Sequence, residues 1–442
     1  MHQILSRSVA GGGSLASLVS AALMMSAALP VNIASAATIH VMNCNDSGVG
    51  SLRGSVASAL SGDTLDLTTL PCSRIVLTSG QITVPQYNLT LKGPGSLRLT
   101  VDGNHASRVF QHTGAGMLSI KSMSIANGHI VSSGPTPLGG GCILSSASIE
   151  LNAVQVHHCA AIGRYSSSVR GGGVGANSVR LLYSRVFSNA ATAGSGGGVG
   201  ADYVVVYASE VDGNSAVFGG GIFGYRAMSA SYSAIHDNTA SSGGGGVASF
   251  QDLVINKSTV SGNRSLKVGG GIWANTSEVP RRLLADSTFS GNRAAYGAGV
   301  FVAGGFTTVT NSTIAFNQEN PGSGEICFGG LMAFRLHMDS SIVGRNTCNG
   351  VESDINQETF QVHGANNLVQ QSTTTLPADT ISADPLLAPL ADNGGPTQTH
   401  ALLNGSPAID RGNNFRHRLY DQRGPGFVRV KGTSADIGAF EH

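Results

Sequence analysis

The phrase Ser-x-apolar-x-x-Asn recurs seven times between Ser184 and Asn346. Its copies begin at Ser184, Ser209, Ser233, Ser258, Ser287, Ser312 and Ser341, and they end at Asn189, Asn214, Asn238, Asn263, Asn292, Asn317 and Asn346. Successive asparagines lie 25, 24, 25, 29, 25 and 29 residues apart. Between copies stands a glycine cluster with an apolar residue behind it: Gly171 to Val174, Gly196 to Val199, Gly219 to Ile222, Gly244 to Val247, Gly269 to Ile272, and a worn copy at Gly297 to Val300. A unit this short cannot bury an apolar face alone, so it must stack coil on coil as a solenoid. The short alternation predicts strands of about three to five residues, roughly three to a coil, pairing in parallel ~4.8 Å apart. In the second copy, Val211 should point inward, Asp212 and Gly213 outward, and Asn214 should sit at a bend, with Ala216 and Ile222 inward. At this coil length the mature chain allows about 15 coils, a rod on the order of 60–70 Å long.

The repeated polar residues read as scaffolding, because one active site does not need the same residue in every coil. Asparagine tolerates left-handed backbone geometry, and its amides can hydrogen-bond along a stack as a ladder. The serine column is expected to do the same with hydroxyls. At the amino end, Ser51 to Leu60 predicts a short capping helix with Ser51 as N-cap and Leu52, Val56, Ala59 and Leu60 on one face, covering the first coil. At the other end, Thr373 to Pro396 is proline-rich and aperiodic, a loop leading into a closing segment. The organisation expected is a signal segment over 1–36, the solenoid with its cap over 37–372, and a closing segment over 373–442.

Arg7, the apolar run Leu15 to Leu29 and Ala34-Ser35-Ala36 together form an export signal, with Ala37 first in the mature chain and no span left in it. Removing Arg7 leaves 25 basic residues against 25 acidic ones. That balance argues against nucleic acid, which demands a basic face, and gives no support to a polybasic membrane-surface mode. Six cysteines in an exported chain allow fifteen pairings. Cys44 with Cys72, Cys142 with Cys159, and Cys327 with Cys348 each fall within about one coil, so sequential disulfides are expected at the two ends of the array. The absence of Cys-x-x-Cys spacing argues against zinc.

Some of these residues are familiar as a set. Asn45-Asp-Ser-Gly-Val-Gly-Ser-Leu-Arg53 followed by Gly62-Asp63 resembles the start of right-handed parallel β-helix proteins of the pectin-lyase-like superfamily. The glycine clusters and apolar-x-x-Asn copies are similar to the repeats of polymorphic outer-membrane proteins. Asp384-Pro-Leu-Leu, Asp392 to His400, Gly405-Ser-Pro-Ala-Ile-Asp410, Asp421-Gln-Arg-Gly424 and Asp436-Ile-Gly-Ala-Phe-Glu441 resemble the choice-of-anchor Q domain. The resemblance implies an exported, surface-associated β-helix and brings no catalytic residues. Members normally carry a sorting signal after this domain; here the sequence stops at His442, which favours release or retention through the rod's own surface.

Because coils stack, columns can be searched for chemistry. With Cys159 standing where the asparagine would be, the position two before the bend reads His157, Phe187, Asp212, His236, Ser261, Ser290, Ala315. This brings Asp212 beside His236 and Asp237, with Glu210 close by, a possible base and orienting partner, while Arg185 next to Glu210 suggests an ion pair. A second candidate joins Arg264 and Arg293, in one column, to Lys257 beside Asp286. Paired arginines suit a sugar carboxylate or sulfate, and a lysine of lowered pKa could abstract a proton. Trp273 either stacks on a sugar or is buried. Loops at 277–282 and 320–325 could wall a groove. Gly197 to Val204 matches a single calcium nonapeptide, which needs tandem copies, and the aspartates are too few for a calcium-dependent lyase, so no metal is expected. A nucleophile elbow, a Walker loop and a dinucleotide motif are absent, so no cofactor is expected either. The reading is an all-β, right-handed parallel β-helix, exported to the surface or surroundings, that binds polysaccharide or cell-surface glycan as an adhesin does. The alternative is a polysaccharide lyase or glycoside hydrolase acting on an acidic polysaccharide.

Overall fold

The computed structural model describes residues 36–131, 138–163, 169–275, 281–321, 325–356 and 361–442. The signal segment up to Ser35 and most of the loop at 277–282 lie outside these, as does the middle of the loop at 320–325. The described chain is a parallel β-solenoid with three sheets running along it, one of 20 strands and two of 12. One coil shows how the repeat makes them. Val199–Tyr207 lies in the first sheet, Glu210–Asp212 in the second and Ser215–Phe218 in the third. Gly219 (φ +60°) then turns the chain back to Ile222, and a Cβ there would meet the Ile222 carbonyl. The first-sheet column Val174, Val199, Ile222, Val247, Ile272 and the second-sheet column Val186, Val211, Ile235, Val260, Phe289 face inward and are fully buried, forming one continuous core.

The second sheet's 12 strands make 12 coils, fewer than the fifteen expected, because the last part of the chain does not coil. Residue Ile381 still bridges Leu368 at the end of the stack. The segment beyond it doubles back along the outer face of the second sheet. Gln422 accepts from Thr288 Oγ1 at 2.7 Å, His400 Nε2 meets Ser290 Oγ at 2.8 Å, and Ala439 N donates to Thr313 Oγ1 at 3.1 Å. Its apolar residues Leu402, Ala408 and Ile437 pack on Ile342 and Leu368.

The asparagine ladder is continuous. Asn189 Nδ2 donates to Asn214 Oδ1 at 2.9 Å, and the same bond repeats from Asn214, Asn238, Asn263, Asn292 and Asn317 to the next asparagine. Each Oδ1 also accepts the backbone N–H of the previous coil's asparagine. Cys159 N starts the stack on Asn189 at 3.0 Å, and Asp354 Oδ1 ends it by accepting from Asn346 Nδ2 at 2.8 Å. The left-handed residue is not the asparagine, however, but the one before it. His158, Ser188, Gly213, Asp237, Gly262, Gly291, Phe316 and Arg345 all have φ between +54° and +66°. The serines are bonded differently from the expectation too: each Oγ accepts a backbone N–H from the coil before, as Ser233 does from Ser209 at 3.2 Å, and donates to the carbonyl two residues earlier.

The helix Leu52–Ser58 is capped by Ser51, whose side chain accepts from Gly54 N, and it buries Leu52 and Val56 against the core. Leu60 lies past the helix and is exposed. All three sequential disulfides form: Cys44–Cys72, Cys142–Cys159 and Cys327–Cys348. Among the described residues, no helix is long and apolar enough to cross a membrane.

Candidate functional site

In each three-residue strand of the second sheet, the middle residue is buried and its neighbours face out. Register therefore places Gln155, Arg185, Glu210, Ala234, Thr259 and Thr288 in one outer column and His157, Phe187, Asp212, His236, Ser261 and Ser290 in the other. The side chains then choose partners diagonally. Arg185 grips Asp212 with two bonds of 2.8 Å and approaches Glu210 at 3.2 Å. Glu210 receives His236 Nε2 at 2.9 Å, and Asp237 receives Nδ1 at 2.9 Å. Asp212 thus serves the arginine and does not orient the imidazole. Burial opposes charge on His236, but the bonds to Asp237 and Glu210 outweigh it and hold its pKa above the ordinary value. An imidazolium clamped between carboxylates is poorly placed to act as a base.

Upstream, Phe187 stacks on His157 with centroids 4.7 Å apart, and the Arg185 guanidinium lies 4.5 Å above the same ring. Burial, aided by His158, pushes His157 down to about 4, so it is a neutral neighbour whose ring nitrogens bond Ser124 Oγ at 2.9 Å and His158 Nδ1 at 2.7 Å.

These strands floor a groove of about 620 Å³ whose lining includes Gln155, Tyr183, Arg185, Glu210, Tyr232 and Pro396. A second hollow of about 690 Å³ shares Glu210, Ala234 and Pro396 with it and runs past His236 and Ser261 to Thr397 and Gln398. The carboxyl-terminal segment is therefore one wall. Tyr183 and Tyr232 line the first groove, and Tyr207 packs between them edge to face, with centroids 5.7 and 5.9 Å apart. Tyr183 is 62% exposed and Tyr207 39%. Sequence reasoning missed this row, although the three tyrosines lie 24 and 25 residues apart, with Tyr207 in register with Leu182 and Ser231, one position ahead of the other two. Tyr183 and Tyr232 hold left-handed positions before the repeated serine (φ +51° and +53°), where a bulky side chain is costly and projects outward.

The second candidate does not assemble. Lys257 is 7% exposed, in the turn entering the second sheet. It gives its ammonium protons to the carbonyls of Tyr420, at 2.7 Å, and Asp421. One coil on, Asp286 is fully buried and pairs with Arg418 at 3.2 Å. Burial lowers the lysine pKa and raises the aspartate's. Lys257 is thus a docking residue beneath the carboxyl-terminal segment, closed to a substrate proton. Arg264 and Arg293 lie in the third sheet, in register and exposed, beside a hollow of about 330 Å³. Trp273 faces out while Ile272 faces in, and it is covered by Phe218 and Phe250 at 5.1 and 5.5 Å.

The ligand atoms of Glu210, Asp212 and His236 lie within 4.8 Å of one another, near enough to share an ion. Arg185 already holds both Asp212 oxygens, so a metal would have to displace a guanidinium.

The chain matches no protein-family model and no curated protein. Among solved structures it is similar to the crystal structure of pectate lyase Pel9A, at 13% identity and a TM-score of 0.41, over 92% of this chain and 97% of that one. At that score no site residue and no activity carries across.

Proposed function

We propose that this is an exported β-helix that binds a polysaccharide or cell-surface glycan in an adhesin-like role, with the sugar chain lying in the groove of the second sheet. The observation that carries the reading is a long groove lined by Tyr183 and Tyr232 and rimmed by hydrogen-bonding side chains, with Tyr207 packed edge to face between the two rings. Tyrosine offers an apolar face to sugar C–H groups and a hydroxyl to their oxygens. Glu210, Asp212 and Asp237 outnumber Arg185 among the permanent charges, so an uncharged chain fits better than a polyanion. Three disulfides and the export signal agree with a location outside the cytoplasm.

The lyase or hydrolase alternative has less support, since every candidate base in the groove is engaged by a partner. The test is titration of the mature protein with neutral glucan, mannan and xylan oligosaccharides. Tyr183→Ala should weaken the binding by about fivefold to tenfold. Unchanged affinity would remove the tyrosine row from the site, and release of new chain ends would establish an enzyme instead.

A further inference from the structure

Strand pairing brings only two arginines into register among the described residues, Arg264 on Arg293 in the third sheet. Several coil arginines close on carboxylates: Arg74 on Asp102, Arg170 on Asp202, Arg180 on Glu150 and Arg185 on Asp212. Arg98, Arg281 and Arg335 are exposed with no carboxylate in ion-pair reach among the described residues, but they face no second arginine in register. Arg264 and Arg293 have no carboxylate within ion-pair reach among the described residues, and Lys267, three residues after Arg264, is also exposed and unpaired there. Arg264 stands between buried Asn263 and Ser265, and Arg293 between buried Asn292 and Ala294, so the backbone fixes both guanidinium stems on one face, one coil apart. Two like charges held this way repel until an anion bridges them. Their hollow of about 330 Å³ has Leu266 and Ala295 as apolar lining and Asn320 as a further polar group.

From this we infer that Arg264 and Arg293 form a second binding site, on a different sheet from the tyrosine groove, for the anionic groups of an acidic glycan. Each guanidinium can present two parallel N–H donors to a carboxylate or sulfate, and two in register can hold one such group between them. An acidic polymer would bind here while a neutral chain uses the groove, so the two sites fail independently.

The experiment measures binding of polygalacturonate, dextran sulfate and unmodified dextran to the mature protein at low and moderate salt. Polygalacturonate or dextran sulfate should bind and dextran should not bind at this site, with affinity falling as salt rises. The preferred polymer identifies the group as carboxylate or sulfate. Arg264→Gln with Arg293→Gln should weaken that binding at least about tenfold, whereas Arg264→Lys with Arg293→Lys should keep part of it. Without ligand, Arg293→Gln should leave the thermal midpoint unchanged or slightly raised, since it relieves repulsion. Tyr183→Ala should leave acidic-polymer binding intact. No acidic-polymer binding by the wild type, or undiminished binding by the double glutamine variant, would overturn the inference.

Discussion

The second sheet has two halves built on the same repeat, and they differ in what lies over them. From His157 to His236 the outer face is open, and the outer column formed by the last residue of each strand carries His157, Phe187, Asp212 and His236. From Ser261 onward the face is covered by the returning carboxyl-terminal segment, and the same column shrinks to Ser261, Ser290, Ala315 and Gly344. Short side chains let a second layer approach, and their hydroxyls bond it, as Ser290 does with His400 and Thr288 with Gln422. In this column the larger and charged side chains stand in the open half. Size along one column therefore marks the boundary between docking surface and candidate site.

The comparison breaks most sharply if the shared ladder beneath both halves is cut. Asn292→Ala removes the amide that bonds Val260 O and Asn317 and accepts from Asn263, leaving buried polar groups unsatisfied. It should cost about 3 kcal/mol or more in urea unfolding, and a loss below 1 would deny the ladder its structural role. Next in size, Ser290→Arg forces a large cation into the covered column and should cost about 2–3 kcal/mol, with limited proteolysis releasing the carboxyl-terminal segment. The reverse exchange in the open half, His236→Ser, removes only partly exposed ion pairs and should cost under about 1 kcal/mol.

The smallest effect is a difference of sign with pH. His236 in the open half has a raised pKa, so its stabilisation is full below the unfolded value and is lost as pH rises through the folded one. His400 in the covered half is lowered by burial, so its contribution is present above the unfolded value and is lost as pH falls. Moving from pH 7.5 to 5.5 should raise the protection factors, corrected for the pH dependence of intrinsic exchange, around Glu210–Asp212 and lower them around Thr288–Ser290, each by less than about 1 kcal/mol. Parallel shifts in both halves would contradict the two assignments.

The solenoid, the ladder and the column register were legible because one copy of the phrase equals one coil, so position in the copy fixes position in space. The disulfide pairing was legible for the same reason. What was hidden depends on contacts the period does not encode. Arg185 reaches diagonally to Asp212, since a long side chain spans the coil spacing whatever its register. Lys257 looked like a surface base because nothing local announces that Tyr420 and Asp421 return to cover it. Glycine at 213, 262 and 291 did signal a left-handed position one residue before the asparagine, and the asparagine took the credit.

The central claim is that binding uses the open half. Its most direct test is hydrogen-exchange mass spectrometry of the mature protein with and without a neutral oligosaccharide that binds it. Protection is expected only at residues 183–187, 207–212 and 232–237, with no change at 288–290 and no cleavage of the sugar. Protection centred on another sheet, or accumulation of shortened or unsaturated sugar, would contradict it.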